Sequence, residues 1–120
     1  MTDPRSAFTH EAELQLHDGT DSAAVGAAVT TALCGHWEHE GPCRWPHNNE
    51  IELTDKVANF RTLFVAAASD EEHVRERIER SLREGVGWAV LRTQSRPVSP
   101  GEEPLARKLA RTPSSEPAQT

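Results

Sequence analysis

The side chains best suited to chemistry lie in one 14-residue stretch from Cys34 to His47. It contains both cysteines of the chain, three of its six histidines and two of its three tryptophans. Thiolate sulfur and imidazole nitrogen are the ligands that a borderline-soft ion such as zinc prefers. Glycines and prolines recur in the same stretch, so it is predicted to be an irregular loop. An irregular loop rich in ligand-type side chains is typical of a functional site.

The spacing of these side chains predicts a metal site. Three residues separate Cys43 from His47, a spacing found in many zinc sites, and four residues separate Cys34 from His39. A Cys2His2 tetrahedron around Zn²⁺ could therefore form from this one loop, with His36 as the alternative to His39. Metal binding would also supply order to a loop that has few aliphatic residues.

Two other interpretations of the loop stay open. In the first, the loop is a compact cap in which Trp37 and Trp45 cover the open end of the core and the histidines are solvated. In the second, the cysteines are redox-active: Cys43 lies beside Arg44, whose charge would lower the pKa of the thiol, and the two cysteines could close a reversible disulfide. No Cys-x-x-Cys motif is present, and Cys34 follows the C-terminus of a predicted helix, which disfavours a thiolate.

The composition excludes several classes of protein. Asp and Glu outnumber Lys and Arg by 19 to 13, whereas a nucleic-acid-binding surface is basic. No apolar run approaches the roughly 18–20 residues that a membrane span needs, and the N-terminus lacks the pattern of a secretory signal. We therefore expect a cytoplasmic protein that binds neither nucleic acid nor membrane. In that compartment the cysteines would be reduced thiols or metal ligands.

Hydrophobic periodicity predicts six regular elements in the order β-α-β-β-α-β. The strands are predicted over 11–17, 50–54, 60–67 and 88–93, and the helices over about 21–33 and 69–84. This order is similar to the ferredoxin-like plan, an α+β fold in which a four-stranded antiparallel sheet of order 4-1-3-2 carries both helices on one face.

The chain is predicted to hold one domain, over residues 10–96, with the Cys/His loop at 34–48. The polar N-terminus, 1–9, and the Pro-rich segment, 97–120, are predicted to be disordered because they have too little apolar surface to bury. Within the second segment, residues 105–111 could form a transient turn or two of basic helix, but a solvated tail is the favoured interpretation.

The predicted topology gathers further polar residues near the loop. The start of the first strand and the N-terminus of the second helix should lie at the same end of the sheet, so His10 and His73 are expected there. The acid–base groups available at that end are Glu38, Glu40, Asp70 and His73. They do not define a reaction, so we expect a structural or sensing role rather than an enzyme.

The sheet face opposite the helices is the second feature that implies a partner. It is expected to expose an apolar centre within a charged rim, formed by Glu11, Glu13, Glu50, Glu52, Arg61, Leu63 and Val65. Such a face suits a symmetric homodimer or a protein partner. The alternative to metal binding is therefore a non-enzymatic interaction module that uses this open face and whose loop is not metallated.

Overall fold

A four-stranded antiparallel sheet organises the protein. The computed structural model describes residues 5–34, 45–55 and 57–111. Its strands are β1 (Arg5–Leu16), β2 (His47–Thr54), β3 (Val57–Ala67) and β4 (Trp88–Arg96). The strand order is β2-β3-β1-β4, which is 4-1-3-2 when counted from the β4 edge, and all neighbouring strands are antiparallel.

Among the described residues, three α-helices accompany the sheet: α1 (Ala23–Cys34), α2 (Glu71–Glu84) and α3 (Glu103–Ala110). The predicted α+β class with a four-stranded antiparallel sheet is thus confirmed, and the described part of the chain has one more helix than predicted. A short 3-10 helix precedes α2 at Ala68–Asp70, and another precedes α3 at Pro100–Glu102.

Helices α1 and α2 pack on the same face of the sheet, because their apolar stripes join one core with the even-numbered side chains of β1. The buried members of this core include Ala12, Leu14, Leu16, Phe60, Phe64 and Ala66 from the sheet and Val25, Val29, Leu33, Val74, Ile78 and Leu82 from the helices. Arg75 also connects α2 to the sheet, because its Nη1 donates to the backbone oxygen of Thr9 in β1 at 2.7 Å. The alternation of β1 therefore decides which side of the sheet is covered by these two helices.

The segment predicted to be a disordered tail contains α3, so the structure differs there from the prediction. Ser99 and Glu102 form a capping box, and Pro100 occupies the first turn, both of which favour helix initiation. Ala106 is buried, and Arg5 Nη2 donates to the backbone oxygen of Ala110 at 2.7 Å. Residues 112–120 lie outside the described residues.

Helix α3 lies on the sheet face opposite α1 and α2, which corrects the prediction of a fully open face. Leu63 and Val65 alternate with the core residues of β3, so they point to this second face, and both are completely buried. The N-terminal prediction also differs, since β1 starts at Arg5, where antiparallel pairing with Ala67 begins.

A close contact between Gly85 and Trp88 closes the end of α2. The Trp88 indole Nε1 donates to the backbone oxygen of Leu82 at 2.8 Å, which places the ring over the last turn of the helix. A Cβ atom at position 85 would overlap the indole ring. Glycine is thus required here for space rather than for an unusual backbone conformation.

We expect Gly85→Ala to lower the free energy of unfolding by about 1–3 kcal/mol, because the indole must move or the helix end must shift. Urea denaturation followed by circular dichroism measures the change. Gly101→Ala is the matched control: a Cβ there meets no atom within 4 Å, so its effect should stay within about 0.5 kcal/mol. Equal effects of the two substitutions would show that the close contact with Trp88 does not determine the loss of stability.

Candidate functional site

The junction of α1 and β2 is held by a hydrogen-bonded imidazole. His47 Nδ1 lies 3.0 Å from the backbone oxygen of Trp45, and Nε2 lies 3.0 Å from the hydroxyl oxygen of Thr30. A carbonyl oxygen can only accept, so Nδ1 carries the proton and Nε2 accepts the Thr30 hydroxyl hydrogen. Asn49 adds donations from Nδ2 to the backbone oxygen of Gly26 at 3.1 Å and to Thr30 Oγ1 at 3.2 Å. Burial lowers the pKa of His47, so its ring is neutral near pH 7.

Cys34 is the predicted ligand at the other end of the loop. It is the last residue of α1 and lies four positions after Thr30, so the two side chains share one side of the helix on successive turns. Cys34 is disulfide-bonded in the structure. Of the predicted ligands, Cys34 is thus the final residue of α1 and His47 contacts α1 through Thr30. The other predicted ligands, His36, His39 and Cys43, lie outside the described residues.

Trp45 forms a wall beside this junction. It is only 4% exposed, and its ring meets the His73 ring edge-on with 5.7 Å between centroids. The guanidinium carbon of Arg77 lies 5.5 Å from the centroid of the Trp45 ring, and Arg77 Nε donates to the backbone oxygen of Ala32 at 2.9 Å. The structure thus brings His73 to the start of β2, where the predicted topology places it.

Arg77 is a residue of this junction that the sequence analysis missed. Its guanidinium binds a carbonyl group in the last turn of α1, where a cation is favoured by the helix dipole. In the sequence it belongs only to the polar side of α2, and nothing in that pattern indicates which neighbouring helix it contacts.

His10, also expected near the loop, is instead buried under α2. It is 2% exposed; Nδ1 lies 3.0 Å from Arg75 Nη1, and Nε2 lies 3.4 Å from Glu79 Oε2. Arginine has no acceptor, so Nδ1 is the unprotonated nitrogen. Burial, followed by the charge of Arg75, lowers the pKa of His10. These contacts attach α2 to β1, and His10 has a structural part in the protein.

Within the three described ranges, no group of three or more His, Cys, Asp and Glu side chains could hold a metal ion. A metal site at the α1–β2 junction would therefore need ligands from residues 35–44. The described residues can supply Cys34 and His47 to such a site.

A second polar site lies beside α3, on the sheet face opposite α1 and α2. We call it the outer groove, a cavity of about 230 Å³. Its charged lining residues are Glu11, Glu13, Glu50, Glu52, Glu102, Arg61, Arg92 and Arg96. Salt bridges join most of them: Arg61 contacts Glu50 at 3.3 Å and Glu102 at 3.2 Å, and Arg96 contacts Glu102 at 2.9 Å and also Glu11.

Glu102 is the centre of this charge network. Its side chain is 15% exposed and accepts from Nη1 and Nη2 of Arg96 at 2.9 and 3.1 Å. The hydrogen bonds from Arg96 lower the pKa of Glu102 to about 2, although partial burial opposes this shift. The same carboxylate completes the capping box of the short 3-10 helix that leads into α3, so the network fixes this end of α3 to the sheet.

Comparisons with protein-family models and with curated proteins find no match for this chain. Among the helices that the structure describes, none has both the length and the apolar character needed to cross a membrane. Function is therefore inferred from the geometry of the two sites.

The stability of the protein should fall as the pH decreases from about 7 to 5. The folded-state pKa values of His10 and His47 are lowered, so below about pH 6.5 the unfolded chain binds more protons than the folded chain. Each histidine contributes a slope of at most about 1.4 kcal/mol per pH unit. His10→Asn keeps an acceptor for Arg75 and should reduce the slope, measured by urea denaturation at each pH.

Thr62→Val provides the control for this experiment. Thr62 is the cross-strand partner of His10 and is fully buried, but it does not titrate. This variant should keep the wild-type pH slope. An unchanged slope in His10→Asn would show that His10 does not cause the acid sensitivity.

Glu102→Gln should lower the free energy of unfolding at pH 7 by about 2 kcal/mol, because two guanidinium groups lose their shared carboxylate. The wild-type advantage should be present above pH 4.5 and disappear as the pH falls toward 2, since the folded-state pKa is lowered. Glu103→Gln, at a 59% exposed position, is the control and should change stability by less than about 0.5 kcal/mol. Denaturant titrations at pH 7, 4 and 2 compare the three proteins, and equal stabilities would contradict the assignment.

Proposed function

We propose that the protein is a small zinc-binding protein, with a structural or sensing role, whose site is the loop between α1 and β2. The proposed ligands are Cys34, Cys43 and His47 together with His39, or with His36 in its place. One observation carries the proposal: the imidazole of His47 is bonded to Thr30, one helical turn before Cys34. The hydroxyl that binds the His47 ring thus belongs to the residue four positions before Cys34 on α1, which supports a common site for the two side chains.

The protonation of His47 supports this proposal. A neutral imidazole is the form that binds a metal, and burial favours that form. Nδ1 donates to the backbone oxygen of Trp45, which leaves Nε2 as the nitrogen that Zn²⁺ could take in exchange for the Thr30 hydroxyl. In metal-binding histidines, the ring nitrogen that does not bind the metal commonly donates a hydrogen bond to a carbonyl oxygen. This bond fixes the tautomer and the orientation of the ring.

The redox state of Cys34 sets a condition on zinc binding. A thiolate is a zinc ligand and a disulfide sulfur is not. Because Cys34 is disulfide-bonded in the structure, the proposal concerns the reduced chain. It places the protein in a reducing compartment such as the cytoplasm, where thiols are maintained. Oxidation of the cysteines would then release the metal, which suits a sensing role.

Elemental analysis of protein purified under reducing conditions, without a His-tag, tests the proposal. We expect about one equivalent of zinc for a single four-ligand site, and we expect Cys34→Ser and an oxidised sample to lose it. His17→Asn is the control, since His17 follows the last residue of β1 and is not in the proposed set. Circular dichroism verifies that each variant is folded, and reduced, folded wild-type protein without metal would contradict the proposal.

A second candidate function is a protein-interaction module that uses the sheet face opposite α1 and α2. The observation that favours it is the outer groove, where polar and charged side chains remain accessible beside α3. Association with a second copy is the form of this candidate that the face suits best. For the fold, the order of β1, α1, β2, β3, α2 and β4, with both long helices on one side, supports the ferredoxin-like plan with α3 as an addition.

A further inference from the structure

The outer sheet face is divided along the strands into a ridge and a groove. The ridge is α3, which covers the rows where Thr9 pairs with Leu63 and Ala7 pairs with Val65. The groove exposes two rows that cross all four strands. These rows are Glu52, Asn59, Glu13 and Arg92, and then Glu50, Arg61, Glu11 and Gln94.

The lengths of the ridge and the groove agree. An eight-residue helix such as α3 is about 12 Å long. It runs along the strands, because Glu102 near its start contacts Arg61 and Ala110 at its end accepts from Arg5. The open part of β1 from Glu11 to Gln15 spans about 14 Å. The groove is therefore long enough to receive one helix of the size of α3.

The charges of the ridge and the groove are opposite. Three cations, Arg107, Lys108 and Arg111, are exposed on and just after α3, and one exposed carboxylate, Glu103, lies 3.7 Å from Arg107. The net charge of the ridge is therefore positive. The groove is lined by five carboxylates and three guanidinium groups. Within the described ranges Glu13 and Glu52 form no salt bridge, and Glu50 is 73% exposed. The excess of negative charge in the groove thus faces outward, where a basic helix could neutralise it.

A twofold axis makes these two features complementary. Such an axis would be parallel to the sheet and perpendicular to the strands, and it would pass above the border between the ridge and the groove. It would then place the α3 helix of each copy over the groove of the other copy. A symmetric interface of this kind needs a self-complementary surface, and a ridge beside a groove of opposite charge is one. The apolar side of α3, including Ala106, stays on its own sheet while the charged side meets the partner.

We propose that the outer groove binds the α3 helix of a second copy of this chain, which forms a symmetric dimer. This inference rests on the second candidate function and names its partner. It is independent of metal binding, because the groove and the α1–β2 junction lie on opposite faces of the sheet.

Two charge-reversed variants of the full chain test the contact. Glu13→Arg with Glu52→Arg makes the groove basic, and Arg107→Glu with Arg111→Glu makes the ridge acidic. Each variant alone should raise the dimer dissociation constant by at least about tenfold through like-charge repulsion. An equal mixture should recover wild-type affinity, because both contacts in the mixed dimer pair opposite charges. Sedimentation equilibrium over a concentration series measures the constants.

Controls separate this contact from general effects of charge. Glu72→Arg with Glu84→Arg makes the same charge change as the groove variant, but at exposed positions of α2. It should leave the dimer dissociation constant unchanged. Wild-type dimerisation should weaken at high salt, as expected for charges near solvent. Recovery in the mixture also proves that both variants are folded.

The possible results distinguish the inference from the candidate function. A chain that is monomeric at every concentration and binds no Arg- and Lys-rich peptide would overturn both. A dimer that both charge reversals leave intact would overturn the α3–groove contact while self-association stands. Binding of an Arg- and Lys-rich peptide to a chain that stays monomeric would assign the groove to another protein and overturn the second-copy proposal.

Discussion

The alternation of side chains along β1 is the constraint on which the rest of the structure depends. This strand lies between β3 and β4, and α3 contacts its Arg5 end on one face. Even-numbered residues from Phe8 to Leu16 enter or border the core under α1 and α2, while odd-numbered residues face α3 and the outer groove. A shift of one residue would exchange the two sets and place Glu11 and Glu13 in the apolar core. The register therefore fixes both the core and the charged surface.

The two buried histidines show how similar environments serve different purposes. Both rings are neutral because burial lowers their pKa values. His10 is enclosed by Arg75 and Glu79, two groups of α2, so its contacts hold a helix on the sheet. His47 instead ends the stretch that contains both cysteines, and its hydrogen bond to Thr30 orients the ring beside α1. The position relative to the loop, more than burial, separates a structural imidazole from a candidate ligand.

The sequence allowed prediction of features that depend on local periodicity. The alternation of β1 and the stripe of Val74, Ile78 and Leu82 indicated the elements and the core face, and their order placed His73 near the loop. Helix α3 was predicted at most as a transient turn because the prolines around it suggested disorder, although Ser99-Pro-Gly-Glu102 is a visible capping box.

The burial of His10 could not be predicted in the same way. His10 is covered by α2 and contacts Arg75, which lies 65 positions further along the chain. No local pattern indicates which side chains such a distant pair of elements will bring together. The ligand geometry within residues 35–44 also stays a prediction, because these residues lie outside the described part of the chain.

The bond between Arg5 and Ala110 joins positions 105 residues apart, so it has a consequence for synthesis. A growing chain completes β1, β3 and α2 before residues 99–110 leave the ribosome. Until then Leu63 and Val65 have no helix over them and remain accessible to chaperones or to neighbouring chains. Contacts of such high sequence separation also form late in folding, because their loop-closure entropy is large. Helix α3 thus covers an apolar surface, formed by Leu63 and Val65, that is exposed while the chain is being synthesised.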